Sequence, residues 1–200
     1  MTATRLIVLR HGQTVWNVDN RIQGQLDIEL NPVGLAQAEA VASRLAELKP
    51  DAIVSSDLRR AADTAAALAA ATGLTVQYDQ RLRERCFGDW QGLTNAEAAE
   101  RYPQEYARWR AGQAIDGCGV EEVDDLGKRA SGAMREAAEL APGGTVVAVG
   151  HGGSAKYGMV ALLGWPSTVL GGIGALSNCH WIDLRAYPVP GWQLRGYNLP

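Results

Sequence analysis

The sequence is poor in cysteine and lysine and has no long apolar run. Its three cysteines, Cys86, Cys118 and Cys179, are scattered. An odd, unpatterned count argues against a disulfide framework, and no CxxC pair suggests a zinc site. No stretch approaches the roughly 18 apolar residues of a membrane span. Met1–Thr4 lack the charged-then-apolar pattern of a leader. The net charge is only −3, and Lys49, Lys128 and Lys156 are the only lysines. That balance gives no basic surface for nucleic acid or for an anionic membrane. These absences predict a reduced, cytoplasmic globular protein. No repeat, linker or low-complexity segment divides the chain, so residues 1–200 are expected to form a single domain. A domain of this size buries roughly 70% of the surface its unfolded chain exposes.

What is present is an alternation of short apolar runs with helical patterns. Leu6–Leu9, Ala52–Val54 and Thr145–Val149 read as buried strands, and Leu74–Tyr78 alternates as a strand does. Asn31-Pro32 opens a helix, with proline at the first turn where its missing N–H matters little. Ser56 or Asp57 is expected to cap an alanine-rich helix that runs to about Ala71 and ends at Gly73. Residues from about Thr94 to Ala141 read as mainly helical, broken by Pro103 and by Gly117–Gly119. Gly150-His151-Gly152-Gly153 is followed by a further helix to about Leu163, and Cys179–Leu184 and Trp192–Tyr197 read as two strands joined through Pro188-Val189-Pro190-Gly191. This order predicts an α/β fold, a three-layer α/β/α sandwich on a mainly parallel sheet with helices on both faces. Ligands of such sheets bind beyond the carboxyl ends of the strands.

Arg10-His11 and His151 both stand at such ends, each histidine followed by glycine. A lone histidine is more often a hydrogen-bonded structural side chain, which is the reading for His180. Two in the same local pattern point to a site. A phosphate monoester is a dianion, and it needs fixed cations, best supplied by the planar fork of arginine. Gly12, Gly152 and Gly153 allow close backbone approach, and helix N-termini add N–H groups. "SSDLRRAADTAAAL" sets Arg59 and Arg60 at another strand end. Neighbours on a helix point about 100° apart, so one of the two faces the site. "RLRERCFGDWQG" places Glu84 among arginines. A carboxyl there can protonate a leaving alkoxide and then take a proton from water, provided that burial or a nearby dianion raises its pKa.

"LRHGQT", "SSDLRRAADTA", "RLRERCFGDWQG" and "GHGG" occur in the order and spacing of the histidine phosphatase superfamily, which this chain resembles from Leu6 to about Leu184. The resemblance implies a metal-independent phosphatase that acts on a small phosphorylated metabolite without a cofactor. His11 would be the nucleophile that becomes phosphohistidine. Arg10, Arg60 and His151 would hold the phosphoryl oxygens, Arg60 rather than Arg59 because it precedes alanine. Glu84 would donate the proton. Asn17, Gln23 and Gly24 match positions lining the substrate pocket, and Gly152 joins them. No metal is expected, since the arginines and His151 supply positive charge. The small phosphatases of the family imply glucosyl-3-phosphoglycerate, 3-phosphoglycerate or phosphoserine as substrate, with specificity set by the helical insertion at about residues 94–120.

Some residues depart from the family pattern. Glu121-Glu122 stands where Glu-Ser is usual, which adds a charge that disfavours very acidic substrates. Lys156 replaces a frequent arginine. Cys86 is read as structural. Tyr106 and Trp109 are either the floor of a sugar pocket or core, and Trp181 and Trp192 are candidates for a homodimer interface. Four other readings compete. "GHGGSAKY" is a near miss to both the P-loop and the GxSxG nucleophile elbow, with Ala155, Tyr157 and Lys156 in the wrong places. A mutase-type phosphotransferase fits the same residues, but "RHGQT" and "FGDWQGLT" look like the phosphatase branch. A non-catalytic phosphate-binding protein has no need of both His11 and Glu84.

Overall fold

The computed structural model describes residues 3–115, 117–188 and 191–200. The strands are β1 (Arg5–Arg10), β2 (Ala52–Ser55), β3 (Val76–Tyr78), β4 (Thr145–Gly150), β5 (Trp181–Ala186) and β6 (Trp192–Leu199). They form one sheet in the order β3-β2-β4-β1-β5-β6. β3, β2, β4 and β1 run parallel, and β5 and β6 add antiparallel pairings at one edge. The expected link through Pro188-Val189-Pro190-Gly191 lies partly outside the described residues.

Period-two alternation in the central strands divides their side chains between two cores. Leu6, Val8, Val146 and Ala148 face α6 (Val123–Glu139) and α7 (Gly152–Leu162), where they meet Ala130, Met134 and Met159. Ile7, Leu9, Val147 and Val149 face α2 (Pro32–Ala46) and α3 (Arg59–Thr72), where they meet Val41, Leu45 and Leu68. Helices therefore cover both faces of a mostly parallel sheet, the three-layer arrangement expected of alternating strands and helices.

Asn31 caps α2 by accepting the Gly34 N–H at 2.8 Å, with Pro32 at the first helical position. The expected side-chain cap of α3 does not form. Its N-cap is Leu58, which makes no side-chain bond, and Gly73 closes the helix at φ 74°. Asp57 is drawn away into a two-point pair with Arg83, at 2.6 and 2.5 Å. Ser56 is drawn toward His151 instead. β1 also reaches one residue past Leu9, so Arg10 is itself part of the strand.

α1 (Val15–Val18) is a single turn too short to leave a periodic signal. α4 (Asn95–Arg101) and α5 (Pro103–Arg110) form the helical segment after Glu84, with Pro103 starting α5 as its ring allows. This segment has its own small core. Trp90 is fully buried, and Tyr106 and Trp109 pack on it with ring centroids 5.9 Å away. Tyr106 and Trp109 are thus partly buried residues packed against this small core. Trp181 is likewise buried in its own chain with the Arg44 guanidinium 5.1 Å over its ring, so it is not offered to a second copy.

Candidate active site

The parallel register sets Arg10 opposite Gly150, and so places His11 beside His151. The two rings are 5.1 Å apart between centroids and tilted by 58°. Both histidines are buried, at 3% and 0% exposure. His11 Nδ1 lies 2.6 Å from the Gly12 carbonyl oxygen. A carbonyl only accepts, so Nδ1 carries the proton and the neutral ring keeps its lone pair on Nε2. Burial, followed by the charges of Arg60 and Arg10, holds His11 well below the ordinary histidine pKa. His151 is lowered for the same leading reason, with Arg60 the next cause. Both rings are neutral at neutral pH.

Two guanidiniums stand near them. Arg60 is fully buried and donates to the carbonyls of Leu26 and Gly24 at 2.8 and 2.7 Å. Burial pulls it down to about 10, still a cation at neutral pH. Its neighbour Arg59 is on the surface, paired with Glu29 at 2.8 Å. Arg10 donates to the Leu176 carbonyl. Among the described residues, Arg10 Nε, Arg60 Nε, His151 Nδ1 and Gln23 Oε1 are buried polar atoms without a hydrogen-bond partner. Orphaned buried donors are costly unless a ligand completes them. Three of these four are nitrogens that can donate, which suits an oxyanion.

Backbone N–H groups contribute less than the sequence suggested. The Gly153 and Ser154 N–H groups at the start of α7 already donate to the Glu84 carboxylate at 2.9 and 3.0 Å. The Arg85 N–H supplies a third bond at 2.8 Å. A Cβ on Gly153 would lie 2.3 Å from Glu84 Oε1, so this glycine makes room for a carboxylate and not for a ligand's backbone contact. Gly12 is tight for another protein segment: its Cβ would lie 2.4 Å from the Gly34 carbonyl oxygen. Its N–H donates to Thr64 Oγ1 at 3.1 Å. An anion here therefore meets mostly side chains.

The remaining expected residues gather around this centre. Asn17 Oδ1 accepts from the Thr14 N–H at 3.0 Å and from Asn178 Nδ2 at 3.3 Å. Asn17 and Arg10 open together onto a hollow of about 380 Å³. Gly24 sits at φ 53°, and its carbonyl holds Arg60. Gly152 lies against Arg10, whose Nε is 3.6 Å from where its Cβ would be. Ser56 was anticipated only as a cap, yet its Oγ lies 2.9 Å from His151 Nε2. Asn178, which also donates to the His11 carbonyl at 3.0 Å, was not anticipated at all. Lys156 and Ser154, the residues of the two near-miss motifs, are structural: Lys156 donates to the Ile173 carbonyl and Ser154 Oγ accepts from the His151 N–H. Cys86 Sγ lies 3.7 Å from the Gly119 carbonyl oxygen. Among the described residues no three histidine, cysteine, aspartate or glutamate side chains gather as a metal site requires.

Residues 6–200 match the family model described as Histidine phosphatase superfamily (branch 1). The chain belongs to the histidine phosphatase superfamily. It is 41% identical over 213 residues to the glucosyl-3-phosphoglycerate phosphatase of Mycobacterium tuberculosis, covering 99% of this chain and 96% of that protein. Among solved structures, a mycobacterial glucosyl-3-phosphoglycerate phosphatase complexed with VO3 superposes with a TM-score of 0.90 at 40% identity, covering 98% of this chain and 100% of that one. The phosphoserine phosphatase of Entamoeba histolytica in complex with 3-phosphoglyceric acid gives a TM-score of 0.85 at 29% identity, covering 98% and 97%. The family's α/β fold and the sheet described above agree.

The two lowered histidines give this superfamily member a specific acid response. The unfolded chain binds protons at its histidines below about pH 6.5, while the folded site resists them, so acidification favours unfolding. Stability contributed by keeping them neutral is present above about pH 6.5 and is lost as pH falls, at up to roughly 1.4 kcal/mol per pH unit for each histidine. Thermal melts from pH 7.5 to 5 should show Tm falling, with a shallower slope in His151→Gln. An unchanged slope in that variant contradicts the buried, neutral His151.

Proposed function

We propose that the protein is a metal-independent phosphatase that hydrolyses a small phosphomonoester through a phosphohistidine on His11, with Glu84 as proton donor. The observation that carries this reading is the neutral His11 ring, its Nδ1 proton held by Gly12 and its Nε2 lone pair left free beside orphaned arginine and histidine donors. In the first step Nε2 attacks phosphorus, the P–O ester bond breaks, and protonated Glu84 gives its proton to the leaving alkoxide. In the second step water attacks the phosphohistidine, the P–N bond breaks, and the Glu84 carboxylate takes a proton from that water. Arg10 and Arg60 stabilise charge on the phosphoryl oxygens. With Ser56 donating its hydroxyl proton to His151 Nε2, His151 Nδ1 presents an N–H to a third oxygen. Asn17, Gln23, Gly24 and Gly152 complete the pocket wall. The arginines provide the positive charge that a metal provides in other phosphatases.

For the substrate, the names of the relatives favour glucosyl-3-phosphoglycerate or a related phosphoglycerate or phosphoserine. A groove of about 520 Å³ is lined by Arg85, the residue after Glu84 in sequence, and by Trp109, Arg110, Glu122 and Tyr157. We assign this groove to the part of the substrate beyond the ester oxygen, an assignment under which the helical segment at 94–120 contributes to specificity. A cytoplasmic setting fits the three free cysteines. The expected homodimer would use a surface other than the buried Trp181.

Phosphate release from glucosyl-3-phosphoglycerate, 3-phosphoglycerate and phosphoserine, measured with a chelator present, tests the reading. Release should persist and should fall at least about 10³-fold in His11→Ala. Release unchanged in that variant, or none from any ester by the wild type, overturns it. Glu122 is the N-cap of α6, makes no side-chain cap bond and lines the groove. Glu122→Ser should raise kcat/KM for 3-phosphoglycerate roughly 3-fold at low salt by removing a like charge. An unchanged value contradicts the assignment of the groove to the distal group.

A further inference from the structure

Glu84 lies on a segment without regular structure, yet its backbone is held from several directions. Arg129, one and a half turns into α6, uses all five of its N–H donors there. Nε donates to Glu121 Oε1 at 2.6 Å and Nη2 to Glu121 Oε2 at 2.8 Å. Nη1 donates to the carbonyls of Arg81 and Arg83, both at 2.7 Å, and Nη2 to the carbonyl of Glu84 itself at 2.9 Å. Glu121 completes the clamp from the other side: its Oε2 accepts the Cys86 N–H at 3.0 Å, and its backbone N–H donates to the Cys86 carbonyl at 2.8 Å. The pair is mostly buried, with side-chain exposures of 20% and 16%. Arg129 thus fixes the carbonyls leading up to and including residue 84, and Glu121 fixes the backbone just beyond it.

A saturated, shielded guanidinium is a poor ligand for substrate, since it has no donor left to give. Nor does packing alone demand arginine, because a purely apolar contact would need none of these five bonds. The clamp instead sets where the Glu84 side chain starts. From that anchor the carboxylate reaches the Gly153 and Ser154 N–H groups. General acid catalysis requires the proton to lie within hydrogen-bond reach of the leaving oxygen, and a shift of about 1 Å in such a group costs about 10²-fold.

We propose that Arg129 is a positioning residue for proton transfer by Glu84, acting through the backbone of residues 81–84 and through Glu121. This rests on the phosphatase reading above. Its mark is dependence on the leaving group. An alkoxide needs a proton as it departs, whereas a nitrophenolate leaves as a stable anion.

The experiment measures kcat/KM, which covers the steps through leaving-group departure, for 3-phosphoglycerate and for p-nitrophenyl phosphate. Wild type, Glu84→Gln, Arg129→Lys and the double variant are compared. Arg129→Lys keeps the charge opposite Glu121 but cannot span the three carbonyls. It should lose at least about 30-fold on 3-phosphoglycerate and less than about 3-fold on p-nitrophenyl phosphate. Adding it to Glu84→Gln should cost little more on 3-phosphoglycerate, because the two act as one unit. Equal losses on both esters, no loss on either, or full additivity overturns the proposal. If Arg129→Lys does not fold, Glu121→Gln loosens the same clamp while keeping its shape. It should show a smaller loss with the same leaving-group bias, and an unbiased loss has the same negative meaning. Failure of the phosphatase reading is separate: it appears as wild type that releases phosphate from neither ester.

Discussion

Everything at this site depends on the parallel pairing of β1 with β4. Those two strands carry the two histidines at corresponding ends, and the register of Arg10 with Gly150 brings the rings to 5.1 Å. A slip of one residue would turn the side chains of one strand to the opposite face. The register is secured because both strands are buried on both sides, each alternate side chain committed to one of two apolar cores. The same strand end continues into Gly12, whose carbonyl takes the His11 Nδ1 proton. The fold and the geometry of His11 are therefore one constraint.

The second organising effect is charge. The site places two largely buried guanidiniums near one carboxylate and keeps both histidines neutral. Such a centre is short of negative charge and rich in unused donors, and a phosphate dianion supplies what is missing. The start of α7 does not act directly as an anion cradle, because Glu84 occupies two of its N–H groups. The helix acts instead as a mount for the Glu84 carboxylate, and in the proposed mechanism the arginines carry the ligand's charge. Arg129 and Glu121 hold the backbone on either side of that carboxylate's residue.

The sequence announced much of this because the signals are local. Apolar runs of four or five residues marked the central strands, and glycine and proline marked helix ends at Gly73 and Pro32. The strand-His-Gly pattern, occurring twice, marked the centre of the site. Local reading failed where distant groups compete for a side chain. Ser56 and Asp57 looked like helix caps, but His151 and Arg83 outbid the helix for them. Nothing near Arg129 hinted at its bond to Glu84, 45 residues away, nor did Gly153 show that it faces a carboxylate 69 residues back. Contacts of that range have no periodicity to read. Whether the aromatic residues of α5 are pocket or core was not legible either: they pack partly buried on Trp90, and Trp109 also lines the groove.

The central claim is that His11 attacks phosphorus through Nε2. The most direct test traps the enzyme during turnover, maps the acid-labile phosphate to a residue, and determines which ring nitrogen bears it by phosphorus–nitrogen coupling in NMR. The structure, with Nδ1 engaged by Gly12, predicts phosphate on His11 Nε2. Phosphate on Nδ1, on another residue, or on none while turnover proceeds would contradict the account.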